Sequence, residues 1–298
     1  MSIIQRLIEK QQREKTGQDT LRPKKNVQHG TVKNSQRATV KNNFSANPKK
    51  SLSSGKSSKN KIVFNFEDME SKGFLTPSSI ESQVAEEYRR IKRPILKNAF
   101  ESSAGTPNSN IMLVTSSVPN EGKTFTALNL AMSISMERDK TVLLVDGDLQ
   151  VAGLTNEFNL KGAAGLTEML NHEGVELADI IHRTNIDNLK IIPAGDRKSH
   201  SAELLASNDM QLLLSDLSNK YPDRIIIFDS PPLLARSESS SLAKVLGQVV
   251  VVVEAEQTLQ STVKEALEQL EDCEIVNLVL NKRHNRPGMS YHAGYYGY

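Results

Sequence analysis

Apolar positions along the chain fall into distinct regimes. From residue 111 onward, short runs rich in Val, Ile and Leu recur at 111–116, 141–146, 188–193, 224–229, 248–254 and 275–281. Longer stretches between them repeat their apolar residues every three or four positions, over 123–137, 200–219, 237–246 and 260–272. Continuous branched runs of that length predict strands buried on both faces, and the spacers predict helices. Strands alternating with helices predict a mostly parallel sheet between two helical layers, an α/β three-layer sandwich. In such a sheet ligands gather at the carboxyl ends of the strands.

The first part of the chain reads differently. Ile3, Ile4, Leu7 and Ile8 share one helical face, which predicts a short amphipathic helix within residues 1–15. Residues 16–61 are rich in Lys, Ser, Asn, Gln and Thr and too poor in apolar side chains to offset their ordering entropy, so a disordered linker is expected. An ordered lead-in over 62–77 precedes a helix over 79–93, where Ile80, Val84, Tyr88 and Ile91 mark the apolar face. Glu87, Arg90 and Arg93 form a separate charged stripe, open to two readings: a solvated surface or an interface with a second copy. Pro94 is expected to end or kink this helix. The main domain is expected over 62–286 and a tail over 287–298.

Charge sharpens this division. Residues 1–60 hold 14 Lys/Arg against 3 Asp/Glu, a net of +11, while the remainder holds 23 against 32, a net of −9. A basic arm is thus joined to an acidic body. Phe44 is the only Phe, Tyr or Trp in the arm, too little for a base-stacking platform, so nucleic acid is not the expected partner. Cys273 is the single cysteine, which excludes an intrachain disulfide framework or a cysteine-built metal site, an iron–sulfur centre included. The longest apolar run, Val249–Val253, is far short of a membrane span, and the N-terminus is too polar for a signal peptide, so a cytoplasmic location is expected.

The chemistry centres on one loop. Ile111 to Val114 runs into Thr115-Ser-Ser-Val-Pro-Asn-Glu-Gly-Lys-Thr124, followed at once by a helical pattern. Strand, Gly-Lys-Thr loop and helix make a phosphate-binding P-loop: backbone N–H groups converge at a helix N-terminus, Lys123 adds a full charge, and the Thr124 hydroxyl can ligate Mg²⁺. Ser117 stands where the general pattern has its first Gly. Strand 141–146 ends in Asp146 with Asp148 two residues on, and strand 224–229 ends in Asp229. Carboxylates at the strand tips beside a P-loop predict a Mg-nucleotide site, with Asp148 as general base or metal orienter. Thr124, Asp146 and Asp229 are the expected metal ligands, and Lys123 joins the three aspartates as the catalytic set. Asn281, at the last strand's tip, is either an adenine reader or a turn residue. Four of the six tyrosines, Tyr291, Tyr295, Tyr296 and Tyr298, lie in the last eight residues with glycines between them, as a packing strap or as mobile phenol acceptors.

Together these motifs resemble the bacterial tyrosine autokinases of capsule and exopolysaccharide systems, cytoplasmic type, and most closely the soluble autokinase found with exosortase loci. The resemblance covers residues 75–298 and the Met1-Ser-Ile-Ile start. It implies a P-loop NTPase sandwich of the MinD/ParA-like kind, in which Thr115–Thr124 is the Walker A loop, Asp146 and Asp148 the Walker A′ pair and Asp229 the Walker B. The implied nucleotide contacts are Ser117, Pro119, Asn120, Glu121, Gly122, Lys123, Thr124 and Phe125, with ATP and Mg²⁺ as the bound pair. Glu87-x-x-Arg90-x-x-Arg93 matches the family's ring-forming motif, and Tyr291, Tyr295, Tyr296 and Tyr298 its autophosphorylated cluster. The implied partners are other copies of the chain, a membrane polysaccharide co-polymerase that sets chain length and activates the kinase, and a cognate tyrosine phosphatase, at the inner face of the membrane. Gln150 departs from the pattern, which often has Arg there. The alternatives are a positioning ATPase of the chromosome-partition or septum-site type, and a non-catalytic nucleotide switch. The first normally has Lys early in the P-loop, where this chain has Ser116-Ser-Val.

Overall fold

The computed structural model describes residues 61–101, 107–197, 200–221 and 223–283. The N-terminal helix, the expected linker up to residue 60 and the four tail tyrosines lie outside the described residues, and Lys61, expected as the linker's end, begins a strand. In chain order the elements are β1 (Lys61–Ile62), α1 (Phe66–Ser71), α2 (Gln83–Phe100), β2 (Ile111–Ser116), α3 (Lys123–Ser135), β3 (Thr141–Asp146), α4 (Gly153–Glu157), α5 (Leu166–Leu170), α6 (Leu177–Ile180), β4 (His182–Thr184), β5 (Leu189–Ile192), α7 (Ser201–Leu205), α8 (Asn208–Lys220), β6 (Arg224–Asp229), α9 (Glu238–Ala243), β7 (Gln248–Glu254), α10 (Gln260–Glu268) and β8 (Val276–Asn281).

The eight strands form one sheet in the order β1-β4-β5-β3-β6-β2-β7-β8. Every pairing is parallel except β4 with β5. Side chains alternate across the sheet, as the pleat requires. Leu113, Leu143, Val145, Ile226, Phe228, Val249 and Val251 enter one apolar cluster, with Leu204, Leu213, Leu242 and Ala266 from α7, α8, α9 and α10. Met112, Val114, Val142, Leu144, Ile225, Ile227 and Val250 enter the other, with Tyr88, Ile95 and Leu128 from α2 and α3. Two dry faces explain why the strands read as unbroken apolar runs rather than as alternating ones.

Three expectations are corrected by the structure. The helix expected over 79–93 starts at Gln83, where the Ser82 hydroxyl accepts from Ala85 N at 3.1 Å, and passes through Pro94 to Phe100. Pro94 lies on the exposed side, so water can reach the backbone groups that it leaves unpaired. The helix expected over 200–219 is two helices, because Ser207 caps a new start by accepting from Met210 N at 3.2 Å. The lead-in contributes an edge strand, β1, beside β4, the one strand that runs against its neighbour β5. Neither short strand carries enough residues for a periodicity to show.

Candidate nucleotide site

The register of the central strands assembles the site. β3 and β6 pair with Asp146 opposite Asp229, and β6 pairs with β2 with Asp229 opposite Val114, directly below the loop. Three strand tips thus meet beside the N-terminus of α3. Gly122 precedes that helix at φ 94°, a left-handed conformation that glycine adopts without Cβ strain. The first turn of α3 carries no side-chain cap and no acidic residue, so its N–H groups stay available to an anion.

The loop's carboxylate has a structural task. Glu121 is 1% exposed. It accepts from Val118 N at 2.8 Å, from Glu254 N at 3.1 Å and from the Thr258 hydroxyl at 2.5 Å. Its side chain therefore closes the loop on itself and ties it to the end of β7. Phe125 packs its ring against Phe74 at 5.0 Å between centroids. Pro119 and Asn120 are exposed, with Asn120 at φ 70°. Asn281 Nδ2 donates to the Glu121 carbonyl at 2.8 Å, so this amide is engaged with the loop backbone.

The aspartates are held apart in role. The Thr124 hydroxyl donates to Asp229 Oδ2 at 2.7 Å, while Asp229 Oδ1 is buried with no hydrogen-bond partner. Burial raises the Asp229 carboxyl to about 7, against the opposing pull of Lys123, and Asp146 pushes it further the same way. Asp146 is raised to about 6, chiefly by burial, although Thr155 N and the Thr155 hydroxyl both donate to its Oδ2 at 2.8 Å. Asp148, 2% exposed, accepts from Val151 N at 3.0 Å. Among the described residues no three His, Cys, Asp or Glu side chains form a metal-holding group on their own. Mg²⁺ in such sites is held by one or two protein groups, waters and the phosphates themselves. The orphaned Asp229 Oδ1, the orphaned Ser117 Oγ and the uncapped helix start fit a Mg-nucleotide.

A protein-family model described as an AAA domain matches residues 117–282. Tyrosine-protein kinase YwqD of Bacillus subtilis (strain 168) is 30% identical over 223 residues, 74% of this chain and 88% of that protein. The chain belongs to the bacterial tyrosine-protein kinases. Tyrosine-protein kinase ptk of Acinetobacter johnsonii is 31% identical over 176 residues, 59% of this chain, but the match spans only 24% of ptk's length. The kinase domain of Escherichia coli tyrosine kinase ETK superposes with a TM-score of 0.62 at 26% identity, covering 79% of this chain and 93% of that one.

Several residues around this kinase's site carry no sequence signal. Thr155 lies nine positions after Asp146, yet it holds that carboxylate twice and accepts from Ala194 N at 2.9 Å. Gly153 lies so close to the P-loop that a Cβ there would stand 3.1 Å from Thr124 Oγ1. A cavity of about 360 Å³ opens beside Thr155, with Asn156, Lys161 and Arg197 on its wall. Gln150 Nε2 donates to Ser201 Oγ at 3.0 Å, and Ser201 Oγ to Glu238 Oε1 at 3.1 Å, so Gln150 joins a polar chain. Glu87, Arg90 and Arg93 are all exposed on α2, where Glu87 accepts from Gln83 and Arg90 from within the helix reaches Glu86.

Proposed function

We propose that this chain is an ATP-dependent tyrosine autokinase whose acceptors are Tyr291, Tyr295, Tyr296 and Tyr298 of a neighbouring copy. The observation that carries the reading is the buried, unpartnered Asp229 Oδ1 beside Thr124 and Lys123, a vacancy in hydrogen bonding that a hydrated Mg²⁺ with a triphosphate suits. Mg²⁺, when bound, offsets charge on the phosphates. The chain's own residues do the rest. Lys123 and the N–H groups at the start of α3 bind and orient the phosphates, Ser117 donates its buried hydroxyl to them, and Thr124 with Asp229 and Asp146 holds the metal. Asp148 receives the proton of the attacking phenol, which enters from the side of the cavity beside Thr155.

Copies associate through the exposed Glu87, Arg90 and Arg93 stripe, which brings one copy's tail to another's site. Each added phosphate carries about −1.5 to −2 charge, so a multiply modified tail is repelled from the acidic body and the assembly loosens. That cycle would regulate capsule or exopolysaccharide production, with a membrane co-polymerase as activator and a tyrosine phosphatase as the reverse arm. Attachment to the inner membrane would run through that partner; no helix among the described residues is long and apolar enough to cross a membrane. The test is to incubate purified full-length protein with ATP and Mg²⁺ and map modified residues by mass. Phosphate on the four tail tyrosines, absent from Lys123→Met, supports the reading; unmodified tyrosines in the presence of a co-polymerase would overturn it.

A further inference from the structure

The P-loop is braced from outside by the tip of β8. Asn281 Nδ2 donates to the Glu121 carbonyl at 2.8 Å, and Lys282 Nζ donates to the Asn120 carbonyl at 2.6 Å. Lys282 is itself held by Glu254 Oε2 at 3.0 Å. Glu254 and Asn281 are register partners at the ends of β7 and β8, and Ala255 N donates to Asn281 O at 2.9 Å, so the rigid sheet sets where both donors stand. Lys282 takes φ 56°, a left-handed backbone that a long side chain rarely adopts, and this turns the chain at the strand's end. A Cβ at Gly122 would push Asn281 Nδ2 aside, so glycine leaves room for this contact as well as suiting its φ.

The geometry has a direct consequence. In a planar trans peptide the carbonyl of one residue and the N–H of the next point to opposite sides. Holding the Asn120 and Glu121 carbonyls toward β8 therefore aims the N–H groups of Glu121 and Gly122 the other way. We propose that Asn281 and Lys282 are positioning residues of the nucleotide loop, a clasp that keeps its N–H groups turned toward the phosphates. Glu121 then serves the nucleotide through its backbone, its carboxylate being spent on Val118, Glu254 and Thr258. The tyrosine-bearing segment follows this clasp directly in sequence. The inference rests on the phosphate-loop reading above and extends it.

The experiment uses the full-length chain and a fluorescent ADP analogue with Mg²⁺, read by anisotropy, beside thermal melting without nucleotide. Lys282→Ala should weaken binding about tenfold, a size expected for losing a charge-assisted hydrogen bond that organises the site, while the nucleotide-free melting temperature stays within about 2 °C. Lys282→Arg should recover most of the affinity, and Asn281→Ala should weaken it further than Lys282→Ala, because its bond is the less exposed. If Lys282→Ala does not fold, Lys282→Met, which keeps the stem and loses only the ammonium, carries the same expectation. Variant affinities equal to that of the wild type would overturn the clasp alone. A wild-type protein that binds no nucleotide would overturn both the clasp and the proposed function. Weakened binding by Lys282→Ala in a protein that never labels its tyrosines supports the clasp and sinks the autokinase reading.

Discussion

Asp229 has two oxygens in different circumstances, one accepting from Thr124 and one with no partner, in a fully buried position. Burial raises it to about 7 and Asp146 to about 6, from an ordinary value of 3.8. The folded, nucleotide-free state holds both protons more tightly than the unfolded chain. These groups therefore stabilise fully below pH about 4, and that contribution is lost as pH rises through about 6 and 7. Thermal melting of the nucleotide-free protein should show a loss between pH 4 and pH 8 that Asp229→Asn reduces; equal slopes for the two proteins would contradict the assignment. Thr155→Val leaves Asp146 Oδ2 without its hydroxyl donor and Ala194 N without an acceptor, and should cost about 1–3 kcal/mol of stability, with Thr155→Ser recovering most of it. Denaturant unfolding measures both. At this scale Lys123 and Thr124 are legible because the P-loop motif carries them, and the three aspartates because they stand at the ends of apolar strand runs. Thr155, Gly153 and Lys282 were not legible, since tertiary folding alone brings them to the loop.

The elements divide the same way. Six of the eight strands are legible within a residue or so; for β2, β3, β5, β6 and β7 burial on both faces leaves a branched apolar run, whereas the edge strand β8 reads as apolar although Leu278 and Leu280 are exposed. β1 and β4 were not, being two and three residues long and set by pairing at the sheet's edge. The C-terminal end of α2 escapes a local reading because Pro94 outweighs other signals there, whereas the packed face of Tyr88, Lys92 and Ile95 holds the helix together across it; its start is set by the Ser82 cap. Lys92 is the central contact: 7% exposed, it donates to the Ser133 carbonyl of α3 at 2.7 Å and pairs with Glu137 at 2.6 Å. The stripe-bearing helix is thereby fastened to the helix that begins at the P-loop. Lys92→Met, which keeps the apolar stem, should destabilise by about 1–3 kcal/mol in denaturant unfolding. Pro94→Ala restores a backbone donor in mid-helix and should stabilise by about 1–3 kcal/mol; a loss of stability there would mean that the proline ring itself is needed at that position.

At the scale of the whole molecule, a basic arm of +11, an acidic body and a tyrosine-rich end sit on one chain. The body carries the candidate nucleotide site, and α2 presents Glu87, Arg90 and Arg93 outward on its surface. Replacing all three with Ala should leave the melting temperature within about 2 °C and abolish self-association in analytical ultracentrifugation, with tail labelling falling alongside. Phosphate is proposed to pass from one copy to another, and mixing two variants checks this. The donor is a variant with Phe at positions 291, 295, 296 and 298; the acceptor is Lys123→Met with its tyrosines intact. Neither should be labelled by ATP and Mg²⁺ alone, and mixing them should place phosphate on Tyr291, Tyr295, Tyr296 and Tyr298 of the acceptor. An unlabelled acceptor, in a mixture where the wild-type chain labels itself, would contradict transfer between copies.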